Sequence, residues 1–121
     1  MSAAAPGPGL AELRAALLAA LDEKAPRVDR DRVAACFDFA AQAHGEQRRA
    51  SGEPYVVHPV AVCRILLDLL ESRLDTTLAC AALLHDVVED TSVTPADVEK
   101  HFGREVRSLV EGVTKLSGLH F

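Results

Sequence analysis

The residues whose types and spacing point most clearly to chemistry are His85, Asp86, Glu89 and Asp90, in the segment HDVVED. On an α-helix, adjacent residues point about 100° apart and residues four apart nearly eclipse. One broad helix face would therefore present an imidazole and three carboxylates. Burying so many like charges without compensation is costly. A divalent cation between His85 and Asp86 supplies that compensation, and imidazole with carboxylate suits Mn²⁺, Fe²⁺ or Zn²⁺.

Two further observations favour a metal site at this segment. The preceding residues, LACAALL, indicate buried core, so the polar groups emerge from the interior rather than from a solvated face. His58 begins the preceding helix, and packing of the two helices would bring it near His85. Glu89 and Asp90, one turn further, would lie close enough to move protons for a water at the metal. The alternative is a solvated helix end with a capping acid and a packed histidine, the commoner meaning of an isolated His-Asp pair.

A second constellation lies in the stretch GEQRRASGEPYVV, which fits no helix or strand pattern. A loop of about a dozen residues inside a compact domain is more often functional than idle. Arg48 and Arg49 can grip phosphate through two parallel hydrogen bonds, and the Ser51 hydroxyl can donate to a phosphate oxygen. We therefore expect an anion-binding loop that leads to His58. The alternative is an exposed turn with solvated arginines.

The other histidines, His44, His101 and His120, each stand among residues that are not metal ligands, and we assign none of them a catalytic role. His44 ends a predicted helix, where an imidazole interacts favourably with the carbonyl dipoles. Tyr55, at the end of the loop, is either a core residue or a ring stacked on a base.

Apolar spacing and capping signals predict about six helices that position these residues. They run from Leu10 to before Pro26, from about Asp29 to His44, from His58 over the apolar residues Val62, Ile65, Leu66, Leu69 and Leu70, from an Asp75 cap to about Asp90, from a Thr94 cap to Phe102, and over Val106, Leu109, Val110 and Val113. No segment alternates with the period of a strand. The predicted fold class is therefore all-α.

Length and composition set the outer bounds. The 121 residues, of which 49% are hydrophobic, suit one domain, and the net charge of −5 disfavours wrapping around nucleic acid. No apolar run of membrane-spanning length occurs, and the first residues have no basic flank before an apolar core, so we do not expect a signal peptide. The three cysteines have apolar neighbours and lack metal-binding spacing, so we expect buried thiols in a reducing cytoplasm. Residues 1–9 are predicted to be a flexible lead-in.

Three motifs then resemble a known family in their order and spacing: AHGEQRRASGEPYVVHPVAV, AALLHDVVEDT and FGREVRSLVEGVTKL. They resemble the N-terminal hydrolase region of the RelA/SpoT homologues, enzymes that make and destroy the alarmone (p)ppGpp. The resemblance covers about residues 30–117. It implies an HD-type helical bundle with one Mn²⁺ ion, in which His58, His85 and Asp86 correspond to metal ligands.

The resemblance also implies roles for the other candidates. Glu89 and Asp90 correspond to the acidic pair credited with activating water, Arg49 to an arginine that contacts guanine, and Ser51 to a serine that helps position the nucleotide. The implied reaction hydrolyses the 3′-diphosphate of (p)ppGpp to GDP or GTP plus pyrophosphate, as part of the stringent response. Ala50 departs from the family, because many members have lysine at this position.

The family's later helices, with an aspartate that completes the metal site, have no counterpart in this sequence. Residues 10–121 are therefore expected to form a partial HD hydrolase domain without its C-terminal helices. Apolar faces left uncovered in this way would favour self-association.

Three alternatives remain open at this point. The chain could be a catalytically incomplete nucleotide-binding or regulatory module, since one metal ligand is missing. It could be an HD phosphohydrolase that acts on another nucleotide. It could also belong to a bifunctional protein that takes its name from a GTP pyrophosphokinase activity.

Overall fold

The computed structural model describes residues 9–117 except positions 46, 48, 49 and 51, with side chains described up to residue 113. The elements are α1 (Leu10–Lys24), α2 (Arg30–His44), α3 (Val57–Leu70), a short 3-10 turn (Glu71–Arg73), α4 (Thr76–Asp90), α5 (Pro95–Phe102) and α6 (Arg104–Ser117). Within these described residues there is no strand, so the predicted all-α class with six helices is confirmed. Helix α3 begins at Val57, one residue before the predicted start.

The helix starts are set by local hydrogen bonds that the sequence signals. The Asp75 carboxylate accepts a hydrogen bond from the Leu78 backbone N–H at 2.7 Å, which caps α4. At the start of α5, Thr94 and Asp97 form a reciprocal capping box, each side chain accepting from the other residue's backbone N–H. Such caps satisfy amide groups that have no partner inside the helix. Both predicted caps, Asp75 and Thr94, are confirmed.

Helix α4 is the centre of the bundle and packs against α2, α3 and α6. Its side chains are small or aliphatic on most sides, which allows neighbouring helices to approach from several directions. The buried residues of α4 are Ala79, Cys80, Ala81, Ala82, Leu83, Leu84 and Val87. The predicted central helix is therefore found, and the polar segment that begins at His85 follows directly from this core.

The three cysteines, Cys36, Cys63 and Cys80, are buried and free, as predicted. They lie on α2, α3 and α4, the helices that meet in the core. Burial raises the pKa of the Cys63 thiol to about 12, because a thiolate would lose its hydration there. Cys63 is therefore a small hydrophobic core residue rather than a reactive thiol.

The buried face of α3 agrees with the predicted one only in part. Of the predicted apolar residues, Val62, Leu66 and Leu70 are partly buried against the core. The side chains that are buried are Pro59, Val60, Cys63 and Leu67. Ile65 and Leu69, expected in the apolar face, are instead 58% and 67% exposed. Helix α3 carries apolar residues on nearly all sides, so periodicity alone cannot select the face that meets the core. Packing against α4 makes that selection.

Helix α6 follows its predicted face only in part. Val106 and Val110 are buried, whereas Leu109 and Val113 are 38% and 37% exposed. No described helix is both long and apolar enough to cross a membrane. Of the predicted lead-in, positions 1–8 lie outside the described residues.

Candidate metal centre

His58, His85 and Asp86 meet at one point of the surface. Each offers one ligand atom, and these atoms lie within 4.8 Å of one another. The Asp86 carboxylate stands between the imidazoles: Oδ1 is 3.1 Å from His85 Nε2, and Oδ2 is 3.6 Å from His58 Nε2. The two imidazole ring centroids are 5.9 Å apart. The structure thus brings together the three residues for which sequence analysis predicted a metal.

His58 and His85, which are 27 positions apart in the sequence, meet because their helices pack side by side. Helices α3 and α4 pack against each other and are separated only by the short 3-10 turn and the residues that cap α4. The chain therefore reverses direction, and the first turn of α3, with His58, lies beside the C-terminal half of α4, with His85. The imidazole and carboxylate of His85 and Asp86 are both 13% exposed, so they are shielded but still accessible to a small ion.

A hydrogen bond from the His85 ring to the backbone determines which ring nitrogen carries the hydrogen. Nδ1 lies 2.7 Å from the Ala82 carbonyl oxygen, an atom that can only accept. Nδ1 therefore carries the hydrogen, and the neutral ring directs the Nε2 lone pair toward the Asp86 carboxylate. Two acceptor atoms 3.1 Å apart require a positive charge between them, either a proton on Nε2 or a metal ion. A histidine oriented through its second nitrogen is typical of metal ligands.

The pKa values reflect this arrangement. The hydrogen bond to Asp86 raises the pKa of His85 above its ordinary value, against the opposing effect of burial; the bond to the Ala82 carbonyl and the charges of Asp86 and Glu89 add to it. Burial alone would raise the pKa of Asp86, but the hydrogen bond from His85 and the charges of His85, His58 and His44 outweigh it and lower that pKa. Asp86 therefore remains a carboxylate, the form that binds a cation.

The remaining predicted site residues are distributed as follows. Glu89 and Asp90 are exposed in the last turn of α4, directly after the metal-binding candidates. The negative charge of Glu89 is a minor cause of the raised pKa of His85. Arg49 and Ser51 lie outside the described residues, so their roles stay predictions.

Sequence analysis missed the environment of His44. This residue is 3% exposed, and its ring stacks on that of Tyr55 with centroids 4.8 Å apart and planes 19° apart. Nδ1 lies 3.3 Å from Oε1 of Gln47. The available signal was periodicity: His44 continues the buried positions Phe37 and Ala40 of α2 at helical spacing. Tyr55, expected either in the core or on a base, is half-buried against this histidine.

The part of the chain that contains these residues is similar in sequence to known proteins. A family model described as HD domain matches residues 36–121. The chain is 55% identical over 85 residues to the guanosine-3′,5′-bis(diphosphate) 3′-pyrophosphohydrolase of Vibrio cholerae. It is 50% identical over 90 residues to the bifunctional (p)ppGpp synthase/hydrolase SpoT of Escherichia coli. It is also 47% identical over 83 residues to the GTP pyrophosphokinase rsh of Brucella ovis.

The alignments cover most of this chain but only a small part of each relative. The three alignments cover 70%, 74% and 69% of this chain. They cover only 12%, 12% and 11% of the respective relatives. The chain thus spans a small part of the length of the relatives it matches, and the part matched by the HD model contains His58, His85 and Asp86.

Proposed function

Because the chain belongs to the HD domain family, we propose that it forms the hydrolytic site of an enzyme that removes the 3′-diphosphate of (p)ppGpp. The observation that carries this proposal is the convergence of His58, His85 and Asp86 within 4.8 Å. Relatives about half identical to the chain are named for this hydrolysis.

The donor set fits a single divalent cation, for which we propose Mn²⁺. Two imidazole nitrogens and a carboxylate oxygen suit Mn²⁺, Fe²⁺ or Zn²⁺, and the choice of Mn²⁺ among them rests on the resemblance to the RelA/SpoT hydrolase region. His58, His85 and Asp86 would hold it, with the His85 ring kept in the required tautomer by Ala82. When bound, such an ion lowers the pKa of a water and neutralises charge on a phosphoryl group.

The proposed reaction adds one water across the bond between the ribose 3′-oxygen and its diphosphate. The water oxygen bonds to phosphorus, the bond from phosphorus to the 3′-oxygen breaks, and pyrophosphate leaves from GDP or GTP. Glu89 or Asp90 accepts the proton of the water, and a proton returns to the 3′-oxygen. Their position in the last turn of α4, one turn beyond His85 and Asp86, supports this role.

The nucleotide itself would be bound by the loop that precedes α3. In this proposal Arg49 contacts the guanine and Ser51 helps to position the nucleotide, on the strength of the motif in which they occur. The end of the loop, residues 52–56, leads directly into α3 and His58, which supports a nucleotide site beside the metal centre. The proposal includes a cytoplasmic location, consistent with three free buried thiols.

The deciding experiment measures release of pyrophosphate and GDP from ppGpp by the 121-residue chain with added Mn²⁺. The double variant Glu89→Gln/Asp90→Asn should lose on the order of 100-fold or more in turnover, because it removes the general base. Its Mn²⁺ affinity, measured by calorimetry, should stay close to that of the parent. The matched control is Asp22→Asn/Glu23→Gln, an exposed acidic pair on α1 with the same change of charge.

Other outcomes would contradict the proposal. Full turnover in the Glu89→Gln/Asp90→Asn variant would overturn the assigned roles. Binding of ppGpp that needs no metal, without turnover, would instead identify a nucleotide-binding module. A panel with deoxynucleoside triphosphates and cyclic nucleotides tests the substrate, because preference for one of these would identify a different HD phosphohydrolase.

A further inference from the structure

Gln47 lies where three parts of the chain meet. Its side-chain Nε2 donates a hydrogen bond to the Asp90 backbone carbonyl at 3.3 Å, and its Oε1 lies 3.3 Å from His44 Nδ1. Its backbone N–H donates to the His44 carbonyl at 3.0 Å, and its carbonyl accepts from the Tyr55 N–H at 3.3 Å. One exposed residue thus connects the end of α2, the loop and the end of α4.

His44 is a buried support for this connection. The residue is 3% exposed, its ring is stacked on that of Tyr55, and α2 ends immediately after it at Gly45, whose φ of +56° favours glycine. The amide oxygen of Gln47 can only accept, so His44 Nδ1 donates to it. That hydrogen bond orients the amide of Gln47 and directs its NH₂ group toward Asp90.

The bond to Asp90 completes the end of α4. The last four carbonyls of an α-helix have no partner within the helix. The Asp90 carbonyl is one of these, and the Gln47 amide supplies a donor from outside the helix. The turn that ends at Asp90 also contains Glu89, and Asp86 lies one turn earlier on the same helix.

We propose that Gln47 is a positioning residue that holds the two ends of the loop, at His44 and Tyr55, and the end of α4 in fixed register. This inference rests on the proposed function. Through its hydrogen bonds to His44, Tyr55 and Asp90, Gln47 connects both ends of the loop to the turn that carries Glu89 and Asp90. A constant position of this turn relative to His44 and Tyr55 would keep its acids aligned with a nucleotide bound beside the metal centre. Small misplacements of this kind reduce turnover strongly.

The test compares Gln47→Leu and Gln47→Glu with the parent chain. Leucine removes both side-chain hydrogen bonds, whereas glutamate keeps the acceptor for His44 but turns a carboxylate oxygen toward the Asp90 carbonyl. Both variants should lose roughly tenfold to a hundredfold in kcat for ppGpp hydrolysis. Their Mn²⁺ affinity should stay within about twofold of the parent, because neither change touches the metal ligands. Gln47→Leu should lower the melting temperature, because it leaves the buried His44 Nδ1–H without its acceptor, whereas Gln47→Glu keeps that acceptor and should melt close to the parent. A purely structural role would instead leave kcat at the parent value in the Gln47→Glu variant.

The matched controls are Gln42→Leu and Gln42→Glu. Gln42 is an exposed glutamine on α2, two positions before His44 and therefore on the opposite side of the helix. Both control variants should keep the parent kcat. An unchanged kcat in both Gln47 variants of an active chain would overturn the inference.

A second readout separates this inference from the proposed function. Amide hydrogen exchange at Asp90, the last residue of α4, and at Thr91, which follows it, should be several-fold faster in Gln47→Leu than in Gln42→Leu. This holds whether or not the chain hydrolyses ppGpp. If the parent chain is inactive but exchange accelerates, the connection stands and the proposed function fails. Equal exchange in the two leucine variants would refute the connection itself.

Discussion

At His85, one backbone hydrogen bond determines what the site can bind. The Ala82 carbonyl holds the hydrogen of the imidazole on Nδ1, so Nε2 and the Asp86 carboxylate present two lone pairs to each other. Only a proton or a cation can occupy the position between them. His58 directs a second imidazole toward the same carboxylate from another helix. The arrangement of the three side chains is therefore stabilised by a proton or a metal cation bound between them.

Replacement of Asp86 by asparagine should therefore abolish most metal binding. The amide keeps the shape of the side chain but removes the charge that offsets the cation. We expect Mn²⁺ affinity, measured by calorimetry, to fall more than about tenfold. Loss of a residue that only supports a metal ligand already has an effect of about this size, and Asp86 is proposed to be a ligand itself. The control Asp31→Asn, on the exposed first turn of α2, should keep the parent affinity. Equal affinity in the two variants would mean that the metal binds elsewhere.

The raised pKa of His85 predicts opposite pH dependences for the metal-free and metal-bound chain. Without metal, the protonated ring stabilises the fold fully below the ordinary histidine pKa of 6.5, and this stabilisation is lost as pH rises through the raised pKa. Mn²⁺ competes with the same proton, so its affinity should increase over that interval. Melting curves and Mn²⁺ titrations from pH 6 to 9 test both signs.

A substitution of His85 distinguishes its contribution to this pH dependence from that of the other histidines. His85→Gln should flatten the melting profile of the metal-free chain in that interval. His101→Gln, on the exposed side of α5, should keep its shape. If the two variants gave the same profile, the pH dependence would come from another group.

At the scale of the elements, α4 is stabilised at both ends by contacts of different origin. Its start is capped by Asp75 from the adjacent sequence, and its end is capped by Gln47 from the loop before α3. Between these ends, residues 79–84 and Val87 are buried, so the site residues in the last turns are held by the core behind them.

Loss of the first cap should destabilise the fold without changing the site. Asp75→Ala removes the acceptor of the Leu78 N–H, at a cost of about 1 kcal/mol in the free energy of unfolding. Asp75→Ser should recover most of that stability, because serine also caps helices well. Mn²⁺ affinity should be unchanged in both variants at temperatures where they are folded. Chemical denaturation measures the first effect and calorimetry the second; a loss of metal affinity in the folded alanine variant would contradict this separation.

For the whole molecule, the distribution of apolar surface predicts self-association. Ile65 and Leu69 lie one turn apart on α3 and are 58% and 67% exposed, and Leu109 and Val113 on α6 are exposed to a lesser degree. Exposed apolar side chains clustered on a helix favour contact with other molecules. We expect the chain to form dimers or larger species at high concentration.

The substitution Ile65→Glu/Leu69→Glu should shift this equilibrium toward monomer in analytical ultracentrifugation. The melting temperature should change little, because both side chains are mostly in solvent. The comparison is Ala35→Glu/Gln42→Glu, two exposed positions on α2 that receive the same change of charge and should leave the association unchanged. A parent chain that stays monomeric at high concentration would contradict the prediction.

The sequence by itself determined the helices, two of their caps, the buried cysteines and the spacing of the polar groups at the end of α4. These features depend on local hydrogen bonds and on periodicity, which the sequence states directly. It also identified the family, because three motifs occur together in order, and the match to the HD domain confirms that resemblance.

Only the tertiary structure decided which of these residues meet. The contact of His58 with Asp86, the exposed position of Ile65 and Leu69, and the connection of His44 through Gln47 to Asp90 all depend on how helices pack. A helix with apolar residues on several sides has more than one possible buried face. The choice among them is made by the neighbouring helices and is not encoded in the periodicity of the segment itself.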